Sequence, residues 1–153
     1  IGDRGITHIV NTFPKLTDID LRKCRKITEK GVESLKGFKK LKELNLNNTK
    51  MTRNKLLSIA SIKSLQELEV VDCEIDDTMV SALSQSPLSR LSISENPLTA
   101  KSLKTTFSKM ELKQLVIKCC SEITPEEIQK FKVSNPKCKV KWSFAPDSEE
   151  KFF

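Results

Sequence analysis

The residues best suited to chemistry in this sequence are charged side chains that recur at fixed spacing. They are Asp18, Asp20 and Arg22, then Glu43, then Glu67 and Glu69, then Arg90. Carboxylates two residues apart lie on one face of an extended chain. Such a set suits recognition of a basic or hydrogen-bonding surface, where complementary charge raises the on-rate and selects partners. Catalysis has less to draw on. The one histidine, His8, stands beside Ile9 and Val10 with no nucleophile near it and reads as a partly packed residue. The four glycines form no phosphate loop, and no H-E-x-x-H pair of zinc ligands occurs. Cys119, Cys120 and Cys138 are the one candidate metal set. Adjacent residues on a strand point to opposite faces, however, so Cys120 is expected inside and Cys119 at the exposed edge. No catalytic residue, cofactor or metal is expected, and the chain reads as a non-enzyme.

The charged residues ride on a repeated frame. It begins at Leu16, Leu41, Leu65, Leu88 and Leu112, in steps of 25, 24, 23 and 24 residues. In each copy, frame positions four and six are apolar at strand spacing and point inward, while positions three, five and seven point outward. The outward set is Asp18, Asp20, Arg22; Glu43, Asn45, Asn47; Glu67, Glu69, Val71; Arg90, Ser92, Ser94; and Gln114, Val116, Lys118. Five acids against three bases give this surface a charge of −2 in a chain of +7, so the remainder carries +9. Arg22 and Arg90 are the expected anchors, because interface hot spots favour Trp, Tyr and Arg and no aromatic residue stands in the set. The second half of each copy opens on Thr28, Thr52, Asp76, Thr99 or Thr124. Each oxygen there can accept the unpaired N–H groups of a first helical turn. Thr124-Pro125-Glu126-Glu127 adds Pro at the first position and a capping box. Apolar residues then recur at helical spacing, which predicts a helix in every repeat rather than a 3₁₀ connection.

The frame Leu-x-x-Leu-x-Leu-x-x-Asn/Cys at about 20–29 residues resembles the leucine-rich repeat. The implied fold is an α/β solenoid: a curved horseshoe segment with a parallel concave sheet and convex helices. Cys24-Arg25-Lys26-Ile27-Thr28 and Cys120-Ser121-Glu122-Ile123-Thr124 follow the cysteine-containing subtype found in the substrate-binding arms of F-box proteins. Repeats three and four, CEIDDTMV and NPLTAKSL, look more like the ribonuclease-inhibitor subtype. The mixture recurs in eukaryotic intracellular proteins and in bacterial effectors. The resemblance covers residues 1 to about 142 and implies a non-catalytic adaptor or substrate-receptor module that binds a protein on its concave strands. No F-box stretch is present.

Ile1 to Lys15 aligns with Ile27 onward, setting Gly5 against Gly31, so the chain opens on half a repeat and is expected to be a piece of a longer protein. The expected domain is 1–144, made of the half repeat, five repeats and a short capping strand in which Val140 and Trp142 close the core. Residues 145–153 are expected to be a loose tail. Three of the five cysteines, Cys24, Cys73 and Cys120, share one frame position with Thr49 and Asn96. A small buried side chain there, and no disulfide-stapled cap, point to a reducing compartment, cytoplasmic or nuclear. No apolar run is long enough to span a membrane, and no small-molecule substrate is indicated. The alternative partner class is nucleic acid or anionic lipid, bound by a basic exterior that includes Lys36, Lys50, Lys55, Lys104 and Lys130. Interleaved acids and the lack of stacking aromatics weigh against it.

Overall fold

The computed structural model describes residues 1–144 and the backbone of 151–152. Six strands run parallel in chain order: β1 (Asp18–Asp20), β2 (Glu43–Asn45), β3 (Glu67–Glu69), β4 (Arg90–Ser92), β5 (Gln114–Lys118) and β6 (Lys139–Ser143). A two-residue β7 (Lys151–Phe152) pairs antiparallel with β6, setting Lys151 opposite Trp142. The rest of the segment expected to be a loose tail lies outside the described residues. Helix α1 (Asp3–Thr12) precedes β1, and between the strands run α2 (Glu29–Ser34), α3 (Arg53–Ala60), α4 (Asp77–Val80), α5 (Ala100–Thr105) and α6 (Pro125–Ser134). This is one sheet, with α2 to α6 each crossing over between neighbouring parallel strands.

The frame sets the register. Ile19, Leu44, Leu68, Leu91, Leu115 and Val140 lie side by side across the six strands. From Leu44 onward each is almost fully buried, while Ile19, on the edge strand, is only half covered. Frame position six is buried in all five copies: Leu21, Leu46, Val70, Ile93 and Ile117. At the far end Val140 and Trp142 are buried, with Phe144 edge-on to Trp142 at 4.5 Å between ring centres.

All five expected caps accept a backbone N–H from the first turn of their helix: Thr28 from Lys30, Thr52 from Lys55, Asp76 from Met79, Thr99 from Lys101 and Thr124 from Glu127. At Thr124 the full capping box forms. In the opening half repeat the cap is Gly2, which has no side chain to offer. There Asp3 serves the next repeat instead, accepting from Thr28 N–H at 2.8 Å and Thr28 Oγ1 at 2.5 Å. A Cβ on Gly31 would overlap Asp3 Oδ1, so this close approach of α1 to α2 requires glycine.

The helical halves differ from the expectation of a helix in every repeat without 3₁₀ structure. Helix α4 is a single turn, and α2, α4 and α5 lead to 3₁₀ turns at Leu35–Gly37, Ser81–Leu83 and Phe107–Lys109. Tightening to i→i+3 bonds satisfies carbonyls left over at a helix end, and it brings Leu35, Leu83 and Phe107 fully inside. Two further expectations need correcting. Lys55 is buried rather than part of the basic exterior, its Nζ donating to Lys50 O at 2.7 Å. Burial lowers its pKa, with the Glu29 and Asp3 carboxylates opposing. His8 is exposed rather than packed.

Candidate functional site

At the end of each strand the chain turns sharply, and the turn is built the same way five times. Frame position eight has a left-handed backbone at Lys23, Asn48, Asp72, Glu95 and Cys119, with φ between 52° and 59°. None of these is glycine. The next residue is the shared Cys, Thr or Asn position, and at Thr49, Cys73, Asn96 and Cys120 its side chain ties back to backbone carbonyls. Cys73 Sγ donates to Leu46 O at 3.2 Å, and Thr49 Oγ1 to Leu21 O at 3.5 Å. Asn96 does most. Its Nδ2 donates to Val70 O, Ile93 O and Ser94 O, and its Oδ1 accepts from Cys73 N–H and Ile75 N–H. These bonds hold the strands in step and so fix where the outward side chains stand.

The outward set forms three rows across the sheet. The first row aligns Asp18, Glu43, Glu67, Arg90 and Gln114, and the second Asp20, Asn45, Glu69, Ser92 and Val116. Arg22, Asn47, Val71, Ser94 and Lys118 follow two residues later in each repeat. Asp18, Asp20, Arg22 and Glu43 are exposed, and all the others except Ser94 are half-buried. Ser94 is the correction: it is 6% exposed, and its hydroxyl accepts from Lys118 N–H at 2.9 Å. It mends the strand ladder and does not present a surface.

The two arginines expected as anchors are already engaged. Arg22 Nη2 lies 2.7 Å from Asp20 Oδ2, and hydrogen bonding from Arg22 holds the Asp20 carboxyl below its ordinary pKa. Arg90 pairs with Glu67, its Nε donating at 2.6 Å, and reaches Glu43 at 3.8 Å. Glu69 accepts from Asn45 Nδ2 at 2.7 Å and Asn47 Nδ2 at 2.9 Å. What the open face offers is therefore carboxylate held in place by neighbours. Asp18, Asp20, Glu43, Asn45, Glu67 and Glu69 line a cleft of about 200 Å³ across β1–β3.

Strand β6 lies beyond the five frames and adds to the outward rows. Its register places Lys139 beside Gln114 and Lys141 beside Val116, so the face runs from acidic at β1 to basic at β6. The signal is the Lys-Val-Lys-Trp alternation, whose buried residues close the core while its lysines extend the outward rows.

On the helix side the lysines do not make one strip. Besides the burial of Lys55, Lys36 pairs with Glu33 at 2.7 Å and Lys50 with Glu74 at 3.1 Å. All five cysteines are thiols. Burial pushes Cys73 and Cys138 up to about 11. Among the described residues no three His, Cys, Asp or Glu side chains converge as metal ligands, and no helix is long and apolar enough to cross a membrane.

Comparison with known proteins adds one match. A leucine-rich-repeat family model matches residues 14–36 and 61–84, the first and third copies of the frame. No curated protein matches the chain. The two matched copies, the in-register aliphatic row across all six strands and the recurring turn give one conclusion: the chain is a leucine-rich-repeat protein with an α/β solenoid fold.

Proposed function

We propose that this chain is a non-catalytic recognition module that binds a partner protein or peptide on the open face of its sheet. It would serve as an adaptor or substrate-receptor part of a larger assembly. Leucine-rich repeats are protein-interaction scaffolds in general, and an extended strand surface is what such solenoids use for binding. The observation that supports this face is the cleft over β1–β3, lined by five strand carboxylates, of which Glu69 is held by the Asn45 and Asn47 amides, Asp20 by Arg22 and Glu67 by Arg90. A partner with a basic surface fits it. Side chains fixed before binding lose less entropy on binding. A reducing compartment suits the five thiols.

The test is affinity capture with wild type, with Glu67→Lys plus Glu69→Lys, and with Lys39→Glu plus Lys63→Glu on exposed positions away from the sheet face. Circular dichroism first establishes that each variant is folded. Partners lost with the first variant and kept with the second are the expected result. An unchanged partner set in the folded Glu67→Lys, Glu69→Lys protein contradicts the proposal.

A further inference from the structure

Three of the five seams between successive helices share one recurring bond. A carboxylate at the first helical position accepts from the hydroxyl of the next repeat's cap. Asp3 takes Thr28, Glu29 Oε1 takes Thr52 Oγ1 at 2.8 Å, and Asp77 Oδ2 takes Thr99 Oγ1 at 2.6 Å. Two seams lack it: α3–α4, where α3 begins at Arg53 and the next cap is Asp76, and α5–α6. The first residue of α5 is Ala100, which has only a methyl group to offer. On the other side Thr124 and Glu127 are committed to each other, Glu127 Oε2 accepting from Thr124 N–H at 3.0 Å.

At the α5–α6 seam lies a groove of about 240 Å³, walled by Ala100, Leu103 and Phe131. That is below the roughly 300–1,000 Å³ of small-molecule sites, so it suits an inserted side chain better than a metabolite. Lys104 and Lys130 also line it, and both are exposed. The carboxylate nearest to them in the lining, Glu127, is the one already bonded to Thr124 N–H. An apolar slot between two lysines calls for the opposite pattern in its occupant.

We infer that the α5–α6 groove is a second docking site, taking an acidic segment of a partner protein that inserts one large apolar side chain between Leu103 and Phe131. This site is independent of the sheet face. Lys104 and Lys130 meet carboxylates flanking the inserted residue, and the slot excludes water from it.

The probe is a short fluorescein-labelled peptide with Asp and Glu flanking one central Phe. Two relatives accompany it, one with Phe replaced by Ser and one with its acids replaced by amides. Anisotropy gives the affinity, and ¹H–¹⁵N spectra of the protein give the location. Shifts should fall on α5 and α6. Binding should weaken at least about tenfold with either relative, with Lys104→Glu plus Lys130→Glu, and with Ala100→Glu. Ala100→Glu places at this seam the first-position carboxylate that three other seams carry and adds bulk to the wall of the slot. It also places an acid where a helix N-terminus favours one, so the variant is expected to fold. Lys39→Glu plus Lys63→Glu changes the net charge equally and should leave binding intact. The inference is overturned by an absence of saturable binding up to about 1 mM. Affinity that Ala100→Glu leaves unchanged, an equal loss with the Lys39→Glu, Lys63→Glu control, or shifts on the sheet face would also overturn it.

Discussion

Asn96 carries more of the structure than any other single polar side chain described. It is 3% exposed and spends both ends of its amide on five backbone groups, at Val70, Cys73 and Ile75 of the preceding repeat and Ile93 and Ser94 of its own. Truncating it strands those groups where water does not reach, and each buried unsatisfied group costs about 1–3 kcal/mol. Asn96→Ala should therefore destabilise by about 3 kcal/mol or more in urea unfolding. Cys73→Ala, which removes a weak donor of two carbonyl contacts, should cost about half of that or less. Equal losses would mean that the position matters only for packing. The same site predicts an order of thiol reactivity. A thiol with a pKa near 11, as at Cys73 and Cys138, is only about a thousandth ionised at pH 8. Iodoacetamide labelling followed by mass spectrometry should modify the half-buried Cys24 and Cys119 first, with Cys73 and Cys138 reacting only as the protein unfolds. Early modification of Cys73 would contradict its place in the turn. At this scale the sequence was informative about which residues share a position. It did not reveal the left-handed residue preceding it, because glycine is the usual marker and Lys23, Glu95 and Cys119 carry none of that signal.

Elements here are short, and their ends decide whether they form. A four-residue α4 cannot hold itself by propensity, since isolated helices below about 12 residues are marginal. It exists because Asp76 caps it and Val80 is buried beneath it. The caps were legible in the sequence because an N-cap is a local bond between a Thr or Asp oxygen and the backbone two or three residues on. The carboxylate bonds between successive helices were not, because they join residues 22 to 25 apart. Asp3 gives the pH consequence. The Thr28 hydroxyl and N–H hold its carboxyl below the ordinary carboxylate pKa, and the Thr78 hydroxyl does the same for Asp76. A depressed folded pKa means stability that is fully present above the unfolded value, near 4, and is lost as pH falls through the folded one. The urea midpoint should stay level from neutral pH down to about 5 and fall below about 4. Asp3→Asn should lower the neutral plateau and shrink the acid fall. A variant with the same acid fall as wild type would remove Asp3 from the account.

Across the whole molecule the leucines and the six-strand order were readable from the frame, since one repeat length fixes both. The face they create was readable in position but not in state. Arg90 and Glu67 occupy the same frame position on neighbouring strands, so their pairing follows once strands are known to align in register. Arg22 and Asp20 lie two residues apart on one strand side. Both were expected to be available to a partner, because a residue list carries no competition between neighbours. Stacked repeats unfold as a unit only while each interface outweighs its own repeat's instability. The single tryptophan reports on that directly, because Trp142 is buried at the last strand. Its fluorescence and far-ultraviolet circular dichroism should trace one coincident urea transition. An earlier fluorescence change would mean that the C-terminal end frays before the rest.

The most direct test of the central claim is site-specific photo-crosslinking in cell extract. A photoreactive residue is placed at Ser92, in the middle of the sheet face, or at Leu57, exposed on the helix side. The account predicts a discrete adduct from position 92 that disappears when Glu67→Lys and Glu69→Lys are added, with no such adduct from position 57. The same adduct from both positions, or one from position 92 that survives the charge reversal, would contradict it.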